Sequence, residues 1–105
     1  MDNRTVSNAF QTFAKEASEH AEIWTEAVQK LGTASKLDRK TEELAYIAVL
    51  AAVRLESGIP FHVKQAKSYG ASRDEVISTI LVGLPAVGNA VISSLPIAIK
   101  AYDEA

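Results

Sequence analysis

Apolar residues recur in steps of three and four through most of the chain. Phe10, Phe13, Ala17, Ala21, Trp24, Val28 and Leu31 draw one stripe, and Lys15, Glu16, Glu19, Glu22, Glu26 and Lys30 fall opposite it. That spacing predicts one amphipathic helix over residues 8–31. Ser7 or Asn8 supplies its cap and Gly32 its stop. Such a stripe lies against its own domain or docks on a partner subunit, and spacing alone does not separate the two. His20, at the edge of the stripe, reads as a bystander.

The next segment behaves differently. Residues 42–62 read EELAYIAVLAAVRLESGIPFH. Asp38 is a good N-cap, and Glu42 and Glu43 follow near the positive end of the helix dipole. From there to Arg54 or Glu56 the pattern is apolar on every side, which predicts a helix buried on every side. Ala45, Ala48, Ala51 and Ala52 let neighbouring helices approach closely. A short chain does not easily surround such a helix, so subunit association is expected to help, and the chain is expected to form a homo-oligomer. Glu43 and His62 then stand as the acid and the imidazole of a greasy interior.

Ser57 and Gly58 break this helix. Pro60 fits the first turn of the next one, over residues 60–69, which ends at Gly70. Phe61, Val63, Ala66 and Tyr69 are its apolar positions, and Lys64 and Lys67 face water. Ser72 and Glu75 form a capping box that opens a helix to about residue 84, with Val76, Ile77, Ile80 and Leu81 inward. Gly83 and Pro85 end or bend it. A last helix over residues 86–102 is kinked or restarted at Pro96, with Ser93 or Ser94 as the new cap. No segment alternates with period two for long enough to make a strand. The expectation is an all-α single domain spanning residues 1–105, with about five or six helices.

Residues 76–99 carry no charge, a length that would span a bilayer. Gly83, Pro85, Gly88, Asn89, Ser93, Ser94 and Pro96 divide the run into shorter pieces suited to buried core helices, so no membrane span is expected. Composition narrows the chemistry further. The 105 residues include 48% hydrophobic and 23% charged positions, with a formal net charge of −2 and no cysteine. Without thiols there are no disulfides, no thiolate nucleophile and no thiolate metal site. Lys36, Arg39 and Lys40 are too small a basic group for a nucleic-acid footprint. His20 and His62 do not share a metal-binding spacing, and no cofactor is implied. The opening residues lead into a polar helix with no apolar leader-like run, which points to a cytoplasmic protein.

The order of these motifs resembles the carboxymuconolactone decarboxylase superfamily, which includes the alkylhydroperoxidase D-like (AhpD-like) proteins. The likeness covers residues 37–102. It starts with Leu37, Asp38 and Glu43-Leu44 at the head of the alanine-rich helix, and continues through the helix break to Phe61-His62. It then follows the passage AKSYGASRDEV from Ala66 to Val76. The resemblance implies an AhpD-like helical domain assembled as a trimer, or a hexamer of trimers. In the peroxidase branch it implies a Glu, a CxxC pair and a His. The Glu falls on Glu43 and the His on His62, while the cysteine positions hold Leu55 and Gly58. Neither can attack a peroxide, so thiol peroxidase activity is not expected.

The decarboxylase branch requires no CxxC. There the resemblance implies a lyase-like site using proton transfer on a small lactone or carboxylic acid. His62 is the candidate acid or base, with Glu43 orienting it. Tyr46, at i+3 from Glu43, can add a donor, and Arg54 can hold a substrate carboxylate. Plainer readings stand beside these. His62 can be a hydrogen-bonded core histidine, Glu43 a first-turn carboxylate favouring the dipole, Tyr46 a packing residue, and Arg54 half of a surface pair with Glu56. Whether the chain is an enzyme is left open. The alternative is a non-catalytic, cysteine-less oligomer that binds a small ligand or serves as an assembly unit.

Overall fold

In the computed structural model, residues 7–105 are described, and among them all regular structure is helical. The chain falls into two compact units, Met1–Leu37 and Asp38–Ala105.

In the first unit, α1 spans Asn8–Glu16 and α2 spans Ser18–Ala34. Ser7 caps α1 as expected, its hydroxyl accepting from the Phe10 N–H at 3.1 Å. The single helix expected over residues 8–31 is thus two helices. They part at Ala17, whose φ of −129° and ψ of 53° leave the helical region. Neither Gly nor Pro marks that joint. At the other end the helix runs through Gly32, because a lone Gly costs a helix only about 1 kcal/mol. It stops at Ser35, which turns extended and accepts the Leu37 N–H at 3.2 Å. Ala21 is the one buried residue described on these two helices. Ile23, Trp24, Val28 and Leu31 are exposed.

The second unit holds the core. Its helices are α3 (Arg39–Ala52), α4 (Ile59–Ser68), α5 (Arg73–Leu81), the short α6 (Leu84–Val87) and α7 (Leu95–Glu104). A 3-10 turn, Glu56–Gly58, precedes α4, and a longer 3-10 run, Gly88–Ser94, precedes α7. Helix α3 packs on α4 and α5, and α7 closes the other side against α4 and α5. Ile47, Ile59, Val63, Val76, Ile80 and Val91 are fully buried between them. Burying side chains of this size contributes about 1.5–3 kcal/mol each.

The caps explain where each helix begins. Asp38 accepts the Thr41 N–H at 2.9 Å and the Thr41 hydroxyl at 3.0 Å. Pro60 stands in the first turn of α4. Ser72 and Glu75 form the reciprocal capping box of α5. The later boundaries move from expectation. Helix α5 stops at Leu81, three residues early, and the long last helix is α6, a 3-10 run and α7. The restart does fall beside Pro96, and Ser94 occupies the N-cap position, yet its hydroxyl makes no capping bond.

Residues Arg73–Glu104 are long and apolar enough by composition to cross a bilayer. The structure divides them among four helical pieces, with α5 and α7 packed side by side. Helix α3 is the other departure. Ile47, Leu50 and Ala51 are buried, but Tyr46, Val49 and Val53 are half exposed or more. Within a single chain it is covered on one side only.

Candidate functional site

Helices α3 and α4 run antiparallel. Gly58 lies against Leu50, His62 against Tyr46 and Glu43, and Arg39 reaches Tyr69. The cap at Asp38 fixes the start of α3 and therefore the turn on which Glu43 sits. Its two hydrogen bonds from Thr41 hold the Asp38 carboxyl below the usual carboxylate range. Pro60 fixes the start of α4 and so the position of His62 two residues on.

The two side chains meet. His62 Nδ1 lies 2.7 Å from Glu43 Oε2. A carboxylate only accepts, so Nδ1 carries the proton and donates it, which leaves Nε2 as the nitrogen that can face a ligand. The pair is not in a dry interior as expected: the His62 side chain is 23% exposed and that of Glu43 21%. It is partly open to solvent, and water screens its charges in part.

Tyr46 also arrives, by its ring rather than its hydroxyl. Its centroid is 4.3 Å from that of the imidazole, with the planes tilted by 32°. This packing fixes one face of the histidine, and Tyr46 remains 50% exposed. Phe61, read from sequence only as core surface, meets the imidazole edge-on at 5.2 Å. Nothing but its adjacency to His62 signalled that role.

Arg54 is not brought to the pair. It lies eleven positions beyond Glu43, about 16 Å along a helix rising 1.5 Å per residue. It forms no hydrogen bond or ion pair with either. Its backbone is unusual, with φ of 64°, the one non-glycine residue described in the left-handed region. The surface pair with Glu56 does not form either; Glu56 instead accepts the Ser93 hydroxyl at 2.7 Å. Leu55, at one of the two cysteine positions of the peroxidase branch, is 58% exposed. Gly58, at the other, begins the approach to α4.

Among the described residues no three His, Asp or Glu side chains gather as a metal site. An open concavity on the first unit is lined by Ala14, Ser18, Ala21, Glu22, Thr25, Glu26 and Gln29, and contains none of the four candidates. Comparison with known proteins gives one finding. Residues 18–100 match the sequence model of the carboxymuconolactone decarboxylase family. No curated protein and no solved structure matches the chain.

Proposed function

The chain belongs to the carboxymuconolactone decarboxylase family, and on that premise we propose that His62 and Glu43 carry out proton transfer on a small lactone or carboxylic acid. The observation that carries this reading is the 2.7 Å contact between Nδ1 and Oε2 in a pair that is partly open to solvent. Glu43 fixes the tautomer and stabilises the imidazolium, so that Nε2 gives or takes the proton. In a decarboxylation the bond to the carboxylate carbon breaks and carbon dioxide leaves. Its electron pair passes into the adjoining unsaturated system, and the Nε2 proton is delivered to the carbon that receives it. Tyr46 holds the imidazole plane. A homo-oligomer is part of the same proposal, supported by the exposed outer side of α3.

The test is release of carbon dioxide from carboxymuconolactone and related small lactone acids. Replacing His62 by alanine should cost about 10²–10⁴-fold in rate, the usual contribution of a positioned acid or base. Full turnover in that variant would end the proposal. The second reading, a non-catalytic ligand-binding or assembly unit, is favoured by the same contact in one respect. An imidazole bonded at Nδ1 and covered by Tyr46 and Phe61 is what a structural histidine requires. A wild-type chain that turns over none of these acids, and a His62→Ala chain that loses thermal stability instead, would select it.

A further inference from the structure

Three unfavourable features fall in one short stretch before α7. Gly88 stands at φ 73° and ψ −159°, a region that essentially glycine alone enters. Residues 89–94 then wind as a 3-10 coil, longer than the three or four residues such coils usually reach. At its end Ser94 is 1% exposed, and its hydroxyl has no hydrogen-bond partner among the described residues. A buried hydroxyl left unpaired destabilises the form that holds it.

One change of winding relieves all three. In an α-helix over residues 88–94, Gly88 takes an ordinary helical conformation and the backbone bonds reach back four residues. The Ser94 hydroxyl then comes within reach of the Ala90 carbonyl, the acceptor four residues back that a helical serine uses. Pro96 opposes the change. It has no N–H to give the Ile92 carbonyl, and in an α-helix its ring presses on that carbonyl. In the 3-10 form the Leu95 N–H bonds the Ile92 carbonyl instead. Each winding leaves something unsatisfied, which is the condition for two states close in free energy.

We propose that residues 84–94 are a two-state strap, closed in the 3-10 form and open in an α-helical form continuous with α6. A 3-10 coil turns about 120° per residue and an α-helix about 100°, so over six residues one end rotates against the other by about 120°. The α7 end is fixed. Helix α7 packs on α4 and α5, and Ser93 is bonded to Glu56 at 2.7 Å, just before α4 begins. The α6 end is free to move, being four residues long with Leu84 and Val87 exposed. Its root at Gly83 rests on two neighbours. A Cβ there would lie 3.3 Å from Val91 Cγ1 and 3.9 Å from the Ala52 Cβ. The rotation lifts that root from both, and so uncovers Val91 and the Ala52 end of α3. The strap is thus a cover over one end of the core, and it stands apart from the proton-transfer reading.

The absence of cysteine makes the test direct. Val91 and Val63 are both fully buried, so Val91→Cys reports opening of the strap and Val63→Cys reports unfolding of the core. The rate of labelling by a soluble disulfide reagent is measured for each. Val91→Cys should react about tenfold faster or more. Adding Gly88→Ala strains the closed form alone and should raise the ratio of the two rates by about tenfold. Adding Ser94→Ala removes the unpaired hydroxyl from the closed form and a bond from the open one, and should lower the ratio several-fold. Equal rates for the two single variants, or a ratio that Gly88→Ala and Ser94→Ala move in the same direction, overturns the strap. Hydrogen exchange on the unmodified chain reads the same opening without a substitution. Amides of residues 84–94 should exchange faster than those of α7 beyond Ala98, and equal protection along the two overturns the proposal.

Discussion

Helices α3 and α4 end in the same hydrogen-bonded turn and yet differ in what they place there. After α4, the Ala71 N–H bonds the Ala66 carbonyl at 2.9 Å and the Gly70 N–H bonds that of Lys67 at 3.0 Å. After α3, the Leu55 N–H bonds the Leu50 carbonyl at 2.9 Å and the Arg54 N–H that of Ala51 at 3.3 Å. Both turns need one residue at positive φ, 96° at Gly70 and 64° at Arg54. Glycine enters that region freely, whereas an L side chain is strained there by about 1–2 kcal/mol.

The surroundings differ as well. Around Gly70 lie the Ser72–Glu75 box, the Lys40–Glu75 and Arg73–Asp103 ion pairs, and Lys67 bonded to the Tyr102 carbonyl at 2.9 Å. That last contact corrects the expectation that Lys67 merely faces water. Around Arg54 the described bond is Glu56 to Ser93, with Val53 and Leu55 left exposed. The first turn is built for stability within the chain. The second gives up stability and leaves a cation and apolar side chains outward.

Four measurements can break or sharpen this contrast. Gly70→Arg should have the largest effect, destabilising by about 1–2 kcal/mol and lowering the thermal midpoint by several degrees. A Cβ there meets nothing within 4 Å, so the loss is backbone strain alone, and an unchanged midpoint would show that the two turns are equivalent. Ser72→Ala should cost about 1 kcal/mol through the lost N-cap of α5. Arg54→Gly should go the other way. Relief of strain, less the freedom glycine adds to the unfolded chain, leaves a gain of about 0.5 kcal/mol. A loss would mean that the Arg54 side chain stabilises the fold.

The smallest effect appears only in acid. The carboxyls of Glu75 and Asp103 sit below their usual range, Glu75 chiefly through the Ser72 N–H and Asp103 chiefly through Arg73. Their stabilisation is therefore complete above the ordinary carboxylate pKa of about 4 and is lost as pH falls through the lowered values. Their contribution to the thermal midpoint should be constant above that point and fall below it. These groups lie at the surface, so added salt should flatten the decline.

Much of the second unit was legible because its signals are local. Asp38, Pro60 and the Ser72–Glu75 box each act within one turn, and each begins a helix where expected. That Glu43 meets His62 was left open by the residues and suggested only by the resemblance; the structure closes it, because an antiparallel pair joined by a short break returns residue 62 to the level of residue 46. Other features were hidden for physical reasons. The joint at Ala17 carries no breaker residue, so periodicity ran straight through it. Exposure of the outer side of α3 depends on what packs there, which no helical period encodes. Ser94 read as a cap because Pro96 follows it. In the structure a 3-10 register, where residues three apart eclipse, aligns it under Val91, and its hydroxyl is buried without a partner among the described residues.

That 3-10 run has a mechanical side. Gly88 itself stands at φ 73° and ψ −159°, outside the helical region, so the 3-10 winding covers the six residues 89–94, each rising about 2.0 Å where an α-helical residue rises about 1.5 Å. Relaxing into the wider α-helical coil would shorten the stretch by about 3 Å and draw the start of α7 toward α6. The chain thus holds a short extensible link at Ser93, which is bonded to Glu56 just beyond α3.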